Sequence, residues 1–410
     1  MRKILRLFWE FLNIALFVVG GGYAIIVVAD EVFGRRLKWL KEGELLDHLP
    51  LFQMVPGLIA GNTAIYTGLK VAGRLGAVVA LVAVALPSFL IFLGVSCGYA
   101  LLPTGNPWVE SALMGLRAAL TGVVFGTLAK SWRRSVVGVY GYATVAAATA
   151  LLVGCGVNVV AVLLAAMAAG VLWAFCGGRM PHGEDDACGG VALAPLPPAR
   201  RALVAAGALA ALAVVTCTCG RVFWTFVKFG LLGFGGGFVL VPVYLQEFVG
   251  PAAPFLQLSA EEFSNLMALT QVTPGPVSVN AATFFGFRLA GVWGGAVATA
   301  ALLLPSLVLL TLALTGIERW KRSRFVQGLL WGVKPATNAL MLKAGIVFAG
   351  MSVWTLAPAA SPGAWPSVAL HPVALALAVF AGWALVARRL SIMSAIFLCA
   401  ALGAAAHALS

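Results

Sequence analysis

Apolar stretches of about 20 residues, each long enough to cross the hydrocarbon core of a bilayer, recur near 75–102, 108–130, 136–154, 157–176, 202–219, 290–315, 325–350, 371–387 and 391–409. In lipid every backbone N–H and C=O must find its partner within the protein, and runs of this length find it by forming helices. The composition agrees: 61% of the 410 residues are hydrophobic and 10% are charged, against about 25% charged in soluble domains. A cytosolic or secreted globular domain is excluded, and an all-α polytopic membrane protein is expected. The seven cysteines show no framework spacing, and most lie inside apolar runs as small helix residues rather than disulfide partners.

Four further apolar segments are interrupted. Segments 7–29 and 222–246 contain Gly20-Gly21-Gly22 and Gly235-Gly236-Gly237, while 51–72 and 263–289 contain Pro56-Gly57 and Pro274-Gly275-Pro276. Bare backbone at membrane depth is tolerated only where protein or a wet cavity satisfies it, so each reads as a discontinuous or re-entrant helical segment. The interruptions recur as pairs. Residues 53–88 align without gaps on 271–306, at an offset of 218, with 15 identities in 36 positions; chance gives roughly a third as many, so the chain holds an internal duplication. Shared positions include Gln53/Gln271, Pro56/Pro274, Gly57/Gly275, Asn62/Asn280, Gly68/Gly286, Gly73/Gly291, Gly76/Gly294, Pro87/Pro305 and Ser88/Ser306. Upstream, Trp9 and Gly20–Tyr23 match Trp224 and Gly235–Phe238; downstream, Gly115-Leu116-Arg117 matches Gly332-Val333-Lys334. The organisation expected is a repeat over 1–176, a linker with one connecting transmembrane helix over 177–220, and a second repeat over 221–410.

Charge sets the orientation. There are 27 Lys and Arg against 14 Asp and Glu, a formal net charge of +13, and cytoplasmic loops collect the basic residues. With Arg2, Lys3 and Arg6 inside, and with both interrupted segments of each half entering and leaving on one side, most basic clusters fall inside. These are Arg35-Arg36-Lys38-Lys41, Lys130-Arg133-Arg134, Arg179-Arg200-Arg201, Arg319-Lys321-Arg322-Arg324 and Arg388-Arg389. The expected outside loops at 103–107, 154–156, 247–262 and 351–370 contain no Lys or Arg. If the interrupted segments span fully, only the loops at 30–50 and 247–262 change side. In either case each half has an even number of crossings and the connecting helix turns the second half over, which makes two inverted-topology repeats. The expected location is the plasma (inner) membrane with the N-terminus cytoplasmic.

Inverted repeats with broken helices place their ligands where half-helix N-termini present unpaired amides and a positive dipole end, an arrangement suited to an anion. Pro56-Gly57 and Pro274-Gly275-Pro276 are placed to start such half-helices, since proline fits the first turn. Gly20, Gly21, Gly22, Gly235, Gly236 and Gly237 offer amides without side chains in the way. Gln53, Gln271, Asn62 and Asn280 complete the expected substrate-binding set, against the plainer reading in which the glycines only pack helices and the prolines only kink them. Ionisable groups inside apolar runs are costly and point to function. Those found are cationic, Lys70/Arg288 and Arg117/Lys334 as pairs, with Lys228 and Lys343 lacking a basic counterpart, which fits an anionic cargo; for Lys70, near an interface, snorkelling is the alternative. Glu44 and Glu262, also paired at the offset of 218, are candidates for proton coupling or, as Ser259-x-x-Glu262 suggests, for capping. His182, Glu184, Asp185, Asp186 and Cys188 in the linker match no metal-site spacing and read as a solvated loop, and no metal or cofactor is expected.

The run Phe234-Gly235-Gly236-Gly237, then Gln271-x-x-Pro274-Gly275-Pro276-x-x-x-Asn280, Gly286-x-x-x-x-Gly291-x-x-Gly294 and Pro305-Ser306 resembles the chromate ion transporter family. The match extends over nearly the whole chain in two copies, as in the long, two-domain members. The resemblance implies an exporter of chromate, a tetrahedral dianion like sulfate, that confers chromate resistance and is driven by the proton-motive force. The first half departs from the pattern at Val18-Val19, where the second has Gly233-Phe234, and at Leu58, where the second has Pro276. The partners expected are the oxyanion and the bilayer, with no nucleic acid; a homodimer is left open. A channel or exporter for another small anion such as sulfate is the alternative. An enzyme is disfavoured: no HExxH, nucleotide loop or Ser/His/Asp set is present, and His48, His182, His371 and His407 lie at segment ends or in loops.

Overall fold

The computed structural model describes residues 2–17, 22–99, 106–176, 218–234, 237–251, 253–320, 324–357, 367–387 and 390–409. Gly20, Gly21, Gly235 and Gly236, the linker 177–201 and nearly all of the connecting helix expected at 202–219 lie outside the described residues. Within them the chain is almost wholly helical, and we number the helices in order. The first copy contains α1 (Arg2–Phe17), α2 (Gly22–Ala29) running on into a π-helical turn, and the short α3 (Glu44–Asp47) and α4 (Leu49–Met54). It continues with α5 (Ile59–Tyr99), α6 (Pro107–Ser135), α7 (Gly138–Thr149) and α8 (Val159–Phe175). The second contains α9 (Thr218–Leu232), α10 (Val241–Phe248), α11 (Ala260–Val272), α12 (Val277–Trp320), α13 (Arg324–Ser352), α14 (Pro372–Val386) and α15 (Ile392–Leu409). One element is not helical: in the expected outside loop at 351–370, β1 (Trp354–Ala357) pairs antiparallel with β2 (Ser367–Leu370). Stretches long and apolar enough to cross a membrane lie at Ile59–Gly98, Pro107–Trp132 and Val277–Leu312.

α5 and α12 are each a pair of antiparallel arms. The backbone leaves helix at Ala72-Gly73, where Gly73 has φ 63° and ψ −153°, and again at Ala290-Gly291, where Gly291 has φ 62° and ψ −153°. In a straight helix, residues 16 apart are about 24 Å apart; Thr283 Oγ1 and Thr299 Oγ1 are 2.8 Å apart. The two arms close through glycine on glycine. A Cβ on Gly68 would collide with the Gly76 carbonyl and one on Gly76 with the Gly68 carbonyl, and Gly286 and Gly294 repeat the arrangement. The first arms, 59–71 and 277–289, are about 20 Å long, too short to cross a bilayer; the second arms, 74–99 and 292–320, reach about 39 Å and 43 Å.

The chain divides into two compact units, each drawing on both copies. The first comprises residues 1–100, 174–237 and 274–327, and the second residues 101–173, 238–273 and 328–410. In the first unit α5 and α12 pack on one another, α1 packs on α5, and its counterpart α9 packs on α12. In the second unit α6 packs on α14 and α15, with small residues where the backbones meet. The contacts are exchanged between copies: Gly115 of α6 lies against the Cys399 carbonyl and Gly403 of α15, while Gly332 of α13 lies against the Ala166 carbonyl and Gly170 of α8. Close approach through small residues gives helix association in lipid its van der Waals contact.

Candidate functional site

In the first copy, α3 and α4 run antiparallel to the first arm of α5. Phe52 stacks edge-on against Tyr66 at 5.5 Å, and the Phe52 and Val55 carbonyls accept from Asn62 Nδ2 at 2.9 and 3.1 Å. The segment is therefore a helical hairpin whose tip is Pro56-Gly57. Proline prevents α4 from continuing through a backbone bond, and Gly57 turns the chain at φ 119°, a conformation that strains any side chain. Gly275 repeats the turn at φ 100°.

Both tips sit on the long arm of the other copy. Ser306 Oγ donates to the Pro56 carbonyl at 3.4 Å, and Ser88 Oγ donates to the Pro274 carbonyl at 3.5 Å. A Cβ on Gly57 would collide with Ser306 Oγ, and one on Gly275 with Ser88 Oγ. Ser88 and Ser306 are buried, and each stands near the middle of its arm. The exchange is reciprocal: the tip of each copy meets the arm serine of the other.

The polar groups at the tips differ. The Gly57 amide donates to the Gly233 carbonyl at 3.0 Å, and both hydrogens of the buried Asn62 amide are given to the end of α4 and its C-cap Val55; its Oδ1 has no partner among the described residues. Asn62 thus holds the hairpin closed, and the atom it leaves over is an acceptor. At the start of α12 the first intrahelical bond runs from Val279 N to the Pro276 carbonyl, 2.9 Å, so the amides of Val277 and Ser278 precede the ladder. Ser278 Oγ is buried and without a partner among the described residues, and Gly237 approaches so closely that its Cβ would lie 3.1 Å from that oxygen. Ser278 was not among the residues expected from the sequence; its position two residues past Pro276, where the first copy has Ala60, is the signal that marks it.

Of the paired cations, Lys70 and Arg288 each stand two residues before their elbows at Ala72 and Ala290, about 16 Å along their arms from the tips. Lys70 Nζ pairs with Glu44 Oε1 and lies 5.5 Å above the Tyr66 ring. The Tyr66 hydroxyl donates to the same carboxylate oxygen at 2.6 Å, and Oε2 accepts from the Lys41 amide at 3.0 Å. Burial pushes the Glu44 carboxyl up, but the bonds from Lys70, Tyr66 and Lys41 outweigh it and hold the group below the usual carboxylate range. Lys228 is half-buried on α9. Glu262 takes the capping position, its amide donating to Ser259 Oγ at 3.0 Å. Gln271, on α11, is buried, and Asn280 is wholly buried on the first arm of α12.

In the second unit Arg117 is drawn to a residue the sequence did not single out. Its Nη1 donates to Glu261 Oε1 at 2.8 Å, with the arginine side chain 13% exposed and the glutamate 66%. Arg117 Nε is buried without a partner among the described residues. Lys334 is half-buried on α13, where its carbonyl accepts from Thr337 and Asn338.

These features define an almost wholly helical membrane protein built on a duplicated broken-helix unit. The family model for the chromate transporter matches residues 5–171 and again 220–404, and the chain belongs to that family. It is 27% identical over 352 residues to a chromate transport protein of Cupriavidus metallidurans, covering 85% of this chain and 83% of that one. It is 25% identical over 351 residues to a probable chromate transport protein of Synechococcus elongatus, 84% of each chain, and 24% identical over 410 residues to a chromate transport protein of Pseudomonas aeruginosa, covering 92% and 91%. No solved structure matches it.

Proposed function

We propose that the protein is a secondary active transporter that exports chromate, or a divalent tetrahedral oxyanion of the same size, across the plasma (inner) membrane, driven by the proton-motive force. Export of chromate would confer resistance to it. Family membership supports the substrate class, since the full-length relatives quoted are named for chromate transport. The observation that carries the mechanism is the place of the two proline-glycine tips, each held against a serine halfway along a bilayer-length arm. If those arms span, both tips lie at the midplane, where transporters of this construction bind their cargo.

In this reading the copies 1–176 and 221–410 are inverted repeats joined through 177–220, with the N-terminus cytoplasmic. The oxyanion meets the first amides of α12, Ser278 Oγ and Asn280 beside Pro274-Gly275-Pro276, with Gly235–Gly237 completing the second copy's contribution within the first unit; Gln271, in the second unit, is a separate candidate. Pro56-Gly57, Gly20–Gly22 and Gln53 form the matching element, and Asn62 keeps its turn closed. Lys70, Lys228 and Arg288 in the first unit, and Arg117 and Lys334 in the second, supply positive potential that concentrates a dianion. Glu44 and Glu262 are the carboxylates available for coupling to protons. Reconstitution into vesicles with labelled chromate and sulfate tests the proposal: the expected result is saturable flux that responds to a pH gradient and falls about tenfold or more in Ser278→Ala, the loss of one bond to a charged ligand. Absence of flux, or a large current without saturation, would overturn it.

A further inference from the structure

The Glu44 cluster contains a group that the transport reading does not use. His48 is 2% exposed, its ring 4.5 Å from that of Tyr66 and tilted 40° to it. Its Nδ1 lies 2.8 Å from the Glu44 carbonyl, and its Nε2 lies 3.1 Å from the Tyr66 hydroxyl. A carbonyl only accepts, so Nδ1 carries a hydrogen. Tyr66 has one hydroxyl hydrogen and faces two acceptors, the Glu44 carboxylate and the His48 Nε2 lone pair. If the imidazole is neutral, the hydroxyl serves Nε2 and the carboxylate loses that donor. If Nε2 binds a proton, Nε2–H donates to the tyrosine oxygen and the hydroxyl donates to Glu44, so that each of these three contacts has a donor and an acceptor. The Tyr66 hydroxyl lies closer to Glu44, 2.6 Å, than to His48 Nε2, 3.1 Å, which favours the second arrangement.

The surrounding charges favour it too. Asp30, on the π-helical turn, accepts the Gly43 and Leu45 amides at 3.0 and 3.1 Å, and Glu44 faces Lys70 on α5; Lys41 and Asp47 carry their charges at the surface. Two buried carboxylates against one ammonium leave one negative charge, which a proton on His48 neutralises. We propose that His48, Tyr66 and Glu44 form a binding site for one proton, in the first copy only, whose occupancy is transmitted by Tyr66 to the Glu44–Lys70 pair beside the elbow of α5. At the positions matching His48 and Tyr66 the second copy has Leu266 and Phe284, which bind no proton. The site is coupled to the cargo through the hairpin: His48 precedes α4, whose carbonyls hold Asn62 at the Pro56-Gly57 tip. This last link rests on the carrier reading, whereas the proton site itself does not.

Two measurements separate them. The first uses the full-length protein in detergent with 15N-labelled histidine, titrated by NMR between about pH 5 and 9, with His48 assigned through His48→Gln. The expected result is one ring passing from doubly to singly protonated, with Tyr66→Phe shifting its midpoint about tenfold in proton concentration toward acid, the effect of losing one hydrogen bond to the charged form. A His48 ring that does not titrate, or whose midpoint ignores Tyr66→Phe, overturns the proton site whatever the protein transports. The second measures labelled chromate flux in vesicles with and without a pH gradient at clamped voltage. His48→Gln, and Tyr66→Phe should the first fold poorly, are expected to lose most of the gradient's effect while retaining downhill flux. Full dependence on the gradient in both variants overturns the coupling, and absence of flux in the unmodified protein overturns the carrier reading alone.

Discussion

The two elbows and tips are nearly the same object built twice, while the side chains around them are not. Gly73 and Gly291 agree to within a degree in φ and share ψ, and each tip rests on the serine that matches its counterpart's. Around this common backbone the first copy has His48, Tyr66 and Ala60 where the second has Leu266, Phe284 and Ser278. Duplication has preserved what sets the shape, the glycines at positive φ and the paired serines, and has let the polar groups diverge. The first copy acquires a buried titratable cluster and the second a helix start with a hydroxyl that has no partner among the described residues. Shape is thus common to both halves, and chemistry is divided between them.

The sharpest way to break the comparison is at the tips. Gly57→Ala and Gly275→Ala each combine backbone strain of about 1–3 kcal/mol with a collision against a serine, and each is expected to abolish vesicle flux or to leave little folded protein. The collisions are reciprocal, so rescue must be crossed. Ser306→Gly is expected to recover part of the loss in Gly57→Ala and none of that in Gly275→Ala, while Ser88→Gly does the opposite. Thermal unfolding in detergent and flux both report it, and rescue that ignores the pairing would break the reciprocity of the tips.

Next in size is the pair Arg117 and Lys334, each two residues past a glycine that packs on the last helix of the other copy. Either alanine substitution is expected to lower oxyanion flux about tenfold, roughly 1.4 kcal/mol of lost attraction, and Arg117→Lys to retain more of it than Arg117→Ala. Equal unfolding midpoints with unequal flux would show that only one copy's cation meets the cargo. Flux unchanged in both would reduce the residues to packing.

Smaller still are Gly73→Ala and Gly291→Ala. No atom beyond the adjoining chain lies within 4 Å of the added methyl at either elbow, so the positive φ is what opposes it, and equal losses of about 1–3 kcal/mol are expected. Unequal losses would mean that one elbow is free to relax.

What could be read from the sequence follows from what periodicity and backbone chemistry record. The apolar runs, the paired Pro56-Gly57 and Pro274-Gly275 breaks and the duplication are local or linear patterns, and the structure bears out helices that stop at those prolines. The elbows are not legible as reversals, because only two residues separate segment 51–72 from the run at 75–102, and nothing but the shared Gly68, Gly73 and Gly76 marks the turn. The strand pair β1–β2 lies in a loop that showed only an absence of charge. Glu44 was singled out by its repeat partner, but His48 and Tyr66 were not: they come together 18 residues apart because the hairpin folds back at Pro56-Gly57, and no spacing in the sequence announces it. Glu261, beside the expected Glu262, is recognisable only once Arg117 is placed against it.

The smallest effect tests the divergence itself. Because its bonds hold the Glu44 carboxyl below the ordinary carboxylate value of about 4.3, the folded state binds this proton less readily than the unfolded chain. Its contribution is complete above that ordinary value and is lost as pH falls through the lower, folded one. Unfolding midpoints in detergent are therefore expected to drop below about pH 4. Glu44→Gln should remove that acid slope and lower stability near neutrality by about 1–3 kcal/mol, since Lys70 and the Lys41 amide lose a charged acceptor. Glu262→Gln is expected to cost only about 0.3–1 kcal/mol, its charge acting on the first turn of α11, and to leave the acid slope in place. An acid slope that survives Glu44→Gln but disappears in Glu262→Gln would assign the sensitive carboxylate to the second copy and reverse the division of chemistry between the halves.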